Sequence, residues 1–325
     1  MKKYLIFLFL VNISYSQQRE LVWDTFLSIN VNRAFHSMSV ACEKIYIIGG
    51  STGGKNEFKD TSSVEMYEPQ TNQWISKSNM PEAITTSCAV SIDDKIYIVG
   101  GQQNTFKNRT AKVLMYDCAL DKWEYKSSMN IARAFHCLTA LNNKLYAIGG
   151  REKIEEINSK QRDSSAVYTI EEYDIKNDRW IIKKVLPFKH FSIGAVTIKD
   201  KIYILSDTTD HHMLDKSAIL EEYDPVKNTL TLKAALTPSK CDVGITTYND
   251  KIYVFGGWYK NSLSTVEEYD VVNDKWEEKT SMPYKVQNLQ AATLDDKIYI
   301  SGGIIYQSGG NEKKDEVLIY YPERD

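Results

Sequence analysis

The chain has 325 residues, 11% of them aromatic with 21 tyrosines, and a formal net charge of −3. Its 40 basic and 43 acidic residues leave no global basic excess, which argues against nucleic acid as the main partner. The five cysteines (Cys42, Cys88, Cys118, Cys137 and Cys241) are odd in number, with no close pairs and no zinc-ligand spacing. They argue against a disulfide framework and read as small apolar fillers near strands, with one disulfide left open.

Residues 1–16 read as a secretory signal peptide. Met1-Lys2-Lys3 is basic, 4–11 is a short apolar run, and Ser14 and Ser16 place small residues at −3 and −1 of a cut before Gln17. That run is too short to cross a bilayer, and no later stretch is long and apolar enough to do so. The expected mature chain, residues 17–325, is exported.

From residue 44 one pattern recurs six times. Lys44-Ile45-Tyr46-Ile47-Ile48-Gly49-Gly50 is the first copy, followed by 95–101, 144–150, 201–207, 251–257 and 297–303. Each alternates β-branched and aromatic residues, as a pleated strand requires. A short polar turn precedes each copy, and a glycine pair ends five of them: Gly49-Gly50, Gly100-Gly101, Gly149-Gly150, Gly256-Gly257 and Gly302-Gly303. The lysines are spaced 51, 49, 57, 50 and 46 residues apart, a period that means a repeat array. A tyrosine follows each strand (Tyr67, Tyr116, Tyr173, Tyr223, Tyr269 and Tyr320). Seven residues beyond it stand Trp74, Trp123, Trp180, Leu230 and Trp276, across hairpin-turn residues. With a strand before each lysine, every unit supplies four strands whose aromatics bury against the neighbouring unit.

The glycine pair, the Tyr-Asp pairs (Tyr173-Asp174, Tyr223-Asp224, Tyr269-Asp270) and the trailing tryptophan resemble the kelch repeat, over essentially all of 17–325. The resemblance implies an all-β, six-bladed kelch-type β-propeller with four antiparallel strands per blade. The fourth unit departs from it, with Ser206-Asp207 for the glycines and Leu230 for the tryptophan, so a distorted blade is expected there.

The ring also has to close. Trp23 stands ten residues before Arg33, as each trailing tryptophan stands ten before the corresponding position of the next unit, yet no strands of its own precede it. Tyr320 has no tryptophan after it. Residues 17–28 are therefore expected to complete blade 6 as its outer strand, so that no edge stays unpaired.

In kelch propellers the loops after the glycine pairs and the segments leading into each inner strand share one face, which points to binding by the variable loops. The longest of these, 151–169, is rich in charge and reads equally as a solvated loop. Eleven residues before each repeat lysine stand Arg33, Ile84, Arg133, His190, Lys240 and Val286. Arg33, Arg133, His190 and Lys240 form a candidate cationic ring around the channel for an anionic ligand, with satisfaction of loop carbonyls as the competing role. Asp207, Asp210, His211, His212 and Asp215 are metal-ligand types without ligand spacing, so no metal site is expected. Galactose oxidase has similar repeats, but its copper site has no counterpart here, and no cofactor is expected. No nucleophile triad, P-loop or dinucleotide fingerprint appears.

Two functions remain. One is a non-catalytic scaffold, expected to be monomeric, that presents its loops to a protein or glycan. The other is a carbohydrate-active enzyme resembling the sialic acid epimerase (mutarotase) of exported bacterial kelch proteins, acting on an acidic sugar. A perturbed acid or base at the channel mouth separates them. The BTB–BACK region of ubiquitin-ligase adaptors, which carry similar repeats, is not expected before the first unit.

Overall fold

The computed structural model describes residues 21–104, 107–152, 166–187, 191–207, 218–307 and 310–325. The expected signal peptide lies outside them. Six four-stranded antiparallel sheets follow one another, and each is a propeller blade. In blade 1, Ser37–Ala41 lines the centre, followed outward by Lys44–Ile48, Val64–Glu68 and Gln73–Lys77. Blades 2 to 5 repeat this order. Blade 6 runs Gln290–Leu294, Lys297–Ser301, Val317–Tyr320 and then Trp23–Phe26, so the outer strand comes from the other end of the described chain.

The register of that closing strand matches the rest. Trp23 pairs with Tyr320 as Trp74 pairs with Tyr67, Trp123 with Tyr116, Trp180 with Tyr173 and Trp276 with Tyr269. Each tryptophan indole N–H then donates to the carbonyl that leaves the preceding blade. Trp74 reaches Leu27 O at 2.9 Å, just past the closing strand, and Trp23 reaches Thr280 O at 3.0 Å. Each repeat tyrosine donates its hydroxyl five residues onward, from Tyr67 to Asn72 through to Tyr320 to Asp325. In blades 1 to 5 this fixes the outer hairpin, whose acceptor residue sits at positive φ.

The inner hairpins of blades 1, 3 and 5 turn through two residues at positive φ, such as Asn142 and Asn143 at 52° and 55°, which matches the twist of the strands they join, and those of blades 2, 4 and 6 through one, at Asp93, Lys199 and Asp295. At the other strand end, Gly49 and Gly50 adopt φ of 62° and 91°. A Cβ on Gly49 would stand 2.6 Å from Ile84 O, and one on Gly50 2.8 Å from Ala34 O. The glycine pair is thus where one blade's backbone touches the next, and the Gly50 N–H donates to Ile84 O at 2.9 Å. The core lies between blades. Tyr46 and Ile48 of blade 1 pack with Ile96 and Leu114 of blade 2, and Ile45, Ile47 and Tyr67 pack with Tyr299 and Ile319 across the closure.

Blade 4 departs as the sequence indicated. Without a glycine pair, Lys201–Asp207 runs on and pairs back to Phe191, with a bulge between Ser192 and Gly194. Leu230 takes the tryptophan's register against Tyr223, and the link to blade 3 passes instead through the Asn228 side chain to Lys183 O at 3.1 Å. Among the described residues no α-helix occurs, and no helix is long and apolar enough to cross a membrane.

Candidate binding face

One face carries the post-glycine loops and the leading segments together. Short bridges weld them within blades 1, 2, 3, 5 and 6: Ala34 to Ser51, Thr85 to Gln102, Ala134 to Arg151, Cys241 to Trp258 and Gln287 to Ile304. Four loops fold back as two-stranded hairpins, among them Gln102–Gln103 with Asn108–Arg109 and Ile304–Gln307 with Gly310–Lys313. The residues one step past the bridges turn at positive φ: Phe35, Thr86, Phe135, Asp242 and Asn288. Successive blades share backbone hydrogen bonds there, from Thr86 N to Phe35 O at 2.9 Å and from Asn288 N to Asp242 O at 2.8 Å. Below lies a central cavity of about 420 Å³ lined by inner-strand residues, including Cys88, Val90, His136, Thr139, Thr246 and Gln290.

The cationic ring does not open into this cavity. Arg33, Arg133 and Lys240 are all buried, each inside its own blade. Arg33 donates to Gly49 O, Ser63 O and the Glu65 carboxylate, Arg133 to Gly149 O, Thr169 O and Glu171, and Lys240 to Glu267 and the Thr265 hydroxyl. Burial pulls all three cations below their ordinary pKa, and the paired glutamates pull them back. The shared anion site expected from register is therefore corrected: equal offset places these residues in equivalent positions, but their charges are spent on loop carbonyls and a glutamate. His190 and the 210–215 cluster lie outside the described residues. Among the described residues, no group of three or more His, Cys, Asp or Glu side chains is placed to hold a metal ion.

Of the charges that do meet at the mouth, the sequence marked Arg151 only as part of the charge-rich 151–169 loop and did not single out Arg109. Arg109 stands in the blade 2 hairpin opposite Gln102, and Arg151 directly follows the blade 3 glycine pair. Burial, and then the like charge of Arg151, pull Arg109 down to about 10. The Nε and Nη1 of Arg109 are buried without hydrogen-bond partners, as are the Thr85 and Thr86 hydroxyls and Gln102 Oε1 beside them. Arg151 also acts electrostatically on Asp242 of blade 5, whose carboxyl burial raises to about 6. Next to Asp242, a cleft of about 660 Å³ is walled by Trp258, Tyr284 and Tyr306, with Lys260 at its side.

Comparison with known proteins agrees with this architecture. A family model described as the KLHDC2/KLHL20/DRC7 Kelch-repeats domain matches residues 8–206, and one for the Kelch motif matches 239–283. The chain belongs to the kelch-repeat family. Among kelch relatives, Beta-scruin of Limulus polyphemus is 38% identical over 69 residues, covering 21% of this chain and 7% of its own. Kelch-like protein 26 of Danio rerio is 35% identical over 89 residues, 27% of this chain and 15% of its own. Kelch repeat and BTB domain-containing protein 3 of Homo sapiens is 32% identical over 81 residues, 24% of this chain and 13% of its own. The matches span less than a sixth of the length of these relatives.

Within the kelch register, the signal for the buried cations was two residues before each repeat tyrosine. Glu65, Glu171 and Glu267 stand there in the blades with Arg33, Arg133 and Lys240, whereas Leu114 and Leu318 stand there in the blades with Ile84 and Val286. No such regularity marks Arg109 or Arg151, because the kelch loops that carry them follow no repeat.

Proposed function

We propose that this kelch propeller binds a protein partner on its loop-bearing face, and that an acidic group of the partner seats against Arg109 and Arg151 at the channel mouth. One observation carries the reading: buried polar atoms without partners gather at the top of blade 2, on Thr85, Thr86, Gln102 and Arg109. Leaving such atoms unpaired costs about 1–3 kcal/mol each, which a hydrogen-bonding ligand recovers. A carboxylate accepts from the Arg109 Nε and Nη1 groups in bidentate fashion and from the threonine hydroxyls, and it neutralises the Arg109 charge. The cleft of Trp258, Tyr284 and Tyr306 adds apolar and stacking surface suited to a side chain or a sugar ring. The basic, apolar and small-residue pattern of residues 1–16 supports export of this binding module.

A second reading, catalysis on an acidic sugar of the kind a mutarotase performs, is favoured by Asp242. Its carboxyl titrates near 6, within reach of Arg151 and Tyr306, as a general acid or base at neutral pH requires. Arrays of acidic peptides and acidic glycans, probed with the wild-type chain and with Arg109→Gln, test the binding reading. Selective capture of carboxylated probes that Arg109→Gln abolishes supports it, and equal capture by the two proteins contradicts it. Turnover of a captured sugar that Asp242→Asn abolishes would move the assignment to the enzyme.

A further inference from the structure

On the face opposite the binding loops, two departures from the repeat meet. The first position of each inner hairpin turn is polar in five blades, at Asp93, Asn142, Lys199, Asn249 and Asp295, but blade 1 has Cys42. The position two after each repeat tyrosine is Pro69, Ile175, Pro225, Val271 or Pro322, but blade 2 has Cys118. The inner turn of one blade abuts the end of the third strand of the next at this level. At the blade 5–6 junction, for example, the Asn249 side-chain amide donates to Glu323 at 2.9 Å. Only five cysteines occur in 325 residues, and two of them fall on the facing edges of one junction.

The local geometry brings their sulfurs together. The Cys42 thiol donates to Asp94 Oδ1 at 3.2 Å, and the Cys118 amide donates to Asp94 O at 3.1 Å, so one residue anchors both. The two thiols lie close enough for each to act on the other's ionisation, and the Tyr46 hydroxyl lies close enough to act on that of Cys118. Both cysteines are partly accessible. The other thiols are engaged differently: that of Cys88 donates to His136 O at 2.9 Å.

We propose that Cys42 and Cys118 are a disulfide site that staples blade 1 to blade 2. The oxidant is a small-molecule disulfide of the oxidised-glutathione class. The Cys118 thiolate attacks one sulfur of that disulfide and expels the first small thiolate. The Cys42 thiolate then attacks the Cys118 sulfur of the mixed disulfide and expels the second. Two protein thiols are oxidised, one disulfide is reduced to two thiols, and the two protons pass to them. Burial raises the Cys118 thiol above its ordinary value while the neighbouring Tyr46 hydroxyl and Cys42 thiol pull it partly back, and burial and then Asp94 push Cys42 up to about 12, so both steps are slow at neutral pH and accelerate as pH rises. The closed loop is long, which is where a cross-link constrains the unfolded chain most.

Incubation of the purified chain with oxidised glutathione, followed by denaturation, alkylation and peptide mass mapping, tests this. The expected product has lost about 2 Da, links the peptides of Cys42 and Cys118, and melts several degrees higher in a manner reversed by dithiothreitol. In Cys42→Ser the loss disappears and Cys118 instead retains one glutathione. A map that pairs either residue with Cys88, Cys137 or Cys241, or two thiols that stay alkylatable after oxidation, overturns the proposal.

Discussion

Arg33 and Glu65 meet inside blade 1 at 2.5 Å, both fully or almost fully buried, and the same two positions hold Ile84 and Leu114 in blade 2. Blades 3 and 5 repeat the charged pair as Arg133–Glu171 and Lys240–Glu267, and blade 6 repeats the apolar one as Val286 and Leu318. A cation and an acid, or two aliphatic side chains, fill one site under the binding loops. Mixed pairs do not occur at these positions in these five blades.

The exchange predicts non-additive stability. Arg33→Ile alone leaves the Glu65 carboxylate buried without its cation and should cost about 3–5 kcal/mol. Arg33→Ile with Glu65→Leu, which copies blade 2, should recover most of that loss. Denaturant unfolding of the two single variants and the double variant measures the coupling, and additive losses would contradict the pairing.

Burial and the nearby arginine hold His36 down to about 3, and the same forces act on His136. The Nε2 of His36 lies 2.8 Å from the Ser301 hydroxyl across the closure, whereas neither ring nitrogen of His136 has a partner. Each histidine binds its proton more readily once the chain unfolds. Its contribution is therefore complete above pH about 6.5 and is lost as pH falls toward 3, at up to about 1.4 kcal/mol per pH unit. Asp242, raised to about 6, acts in the opposite sense, adding stability as pH falls below that value. Melting curves between pH 4.5 and 7 should show a shallower slope in His36→Gln than in the wild type. An unchanged slope would place the titrating groups elsewhere.

The closing strand should be as integral as any other. Trp23 packs on Tyr320 with ring centroids 4.8 Å apart and on Phe255 at 6.1 Å, much as Trp276 packs on Tyr269 at 5.0 Å. Trp23→Ala and Trp276→Ala should each lower stability by roughly 2–4 kcal/mol. A neutral Trp23→Ala beside a costly Trp276→Ala would show that the seam adds nothing.

Much of this was legible in the sequence because the repeat states each constraint several times. Tyr67 to Tyr320 and Trp23 to Trp276 fixed blade number, register and closure, since only one spacing keeps each tryptophan opposite its tyrosine. The direction of Arg33, Arg133 and Lys240 was not legible from offset alone: equivalent position does not say whether a side chain faces the channel or its own blade. Their glutamates answered that, two residues before the tyrosines. The link from His36 to Ser301 joins residues 265 apart in sequence, and only ring closure brings them together. Arg109 was not singled out, and Arg151 was read only as part of a charged loop, because the variable loops are the parts a repeat does not dictate.

The most direct test of the account is the affinity of one acidic probe, the strongest carboxylated peptide from the array, for four folded proteins measured by calorimetry. These are the wild type, Arg109→Gln, Arg151→Gln and the Arg33→Ile, Glu65→Leu double variant. The account predicts about tenfold or greater weakening in each of the two mouth variants, and wild-type affinity in the double variant, whose charges are spent inside blade 1. Unchanged affinity in Arg109→Gln and Arg151→Gln, or loss of binding in the double variant alone, would contradict it.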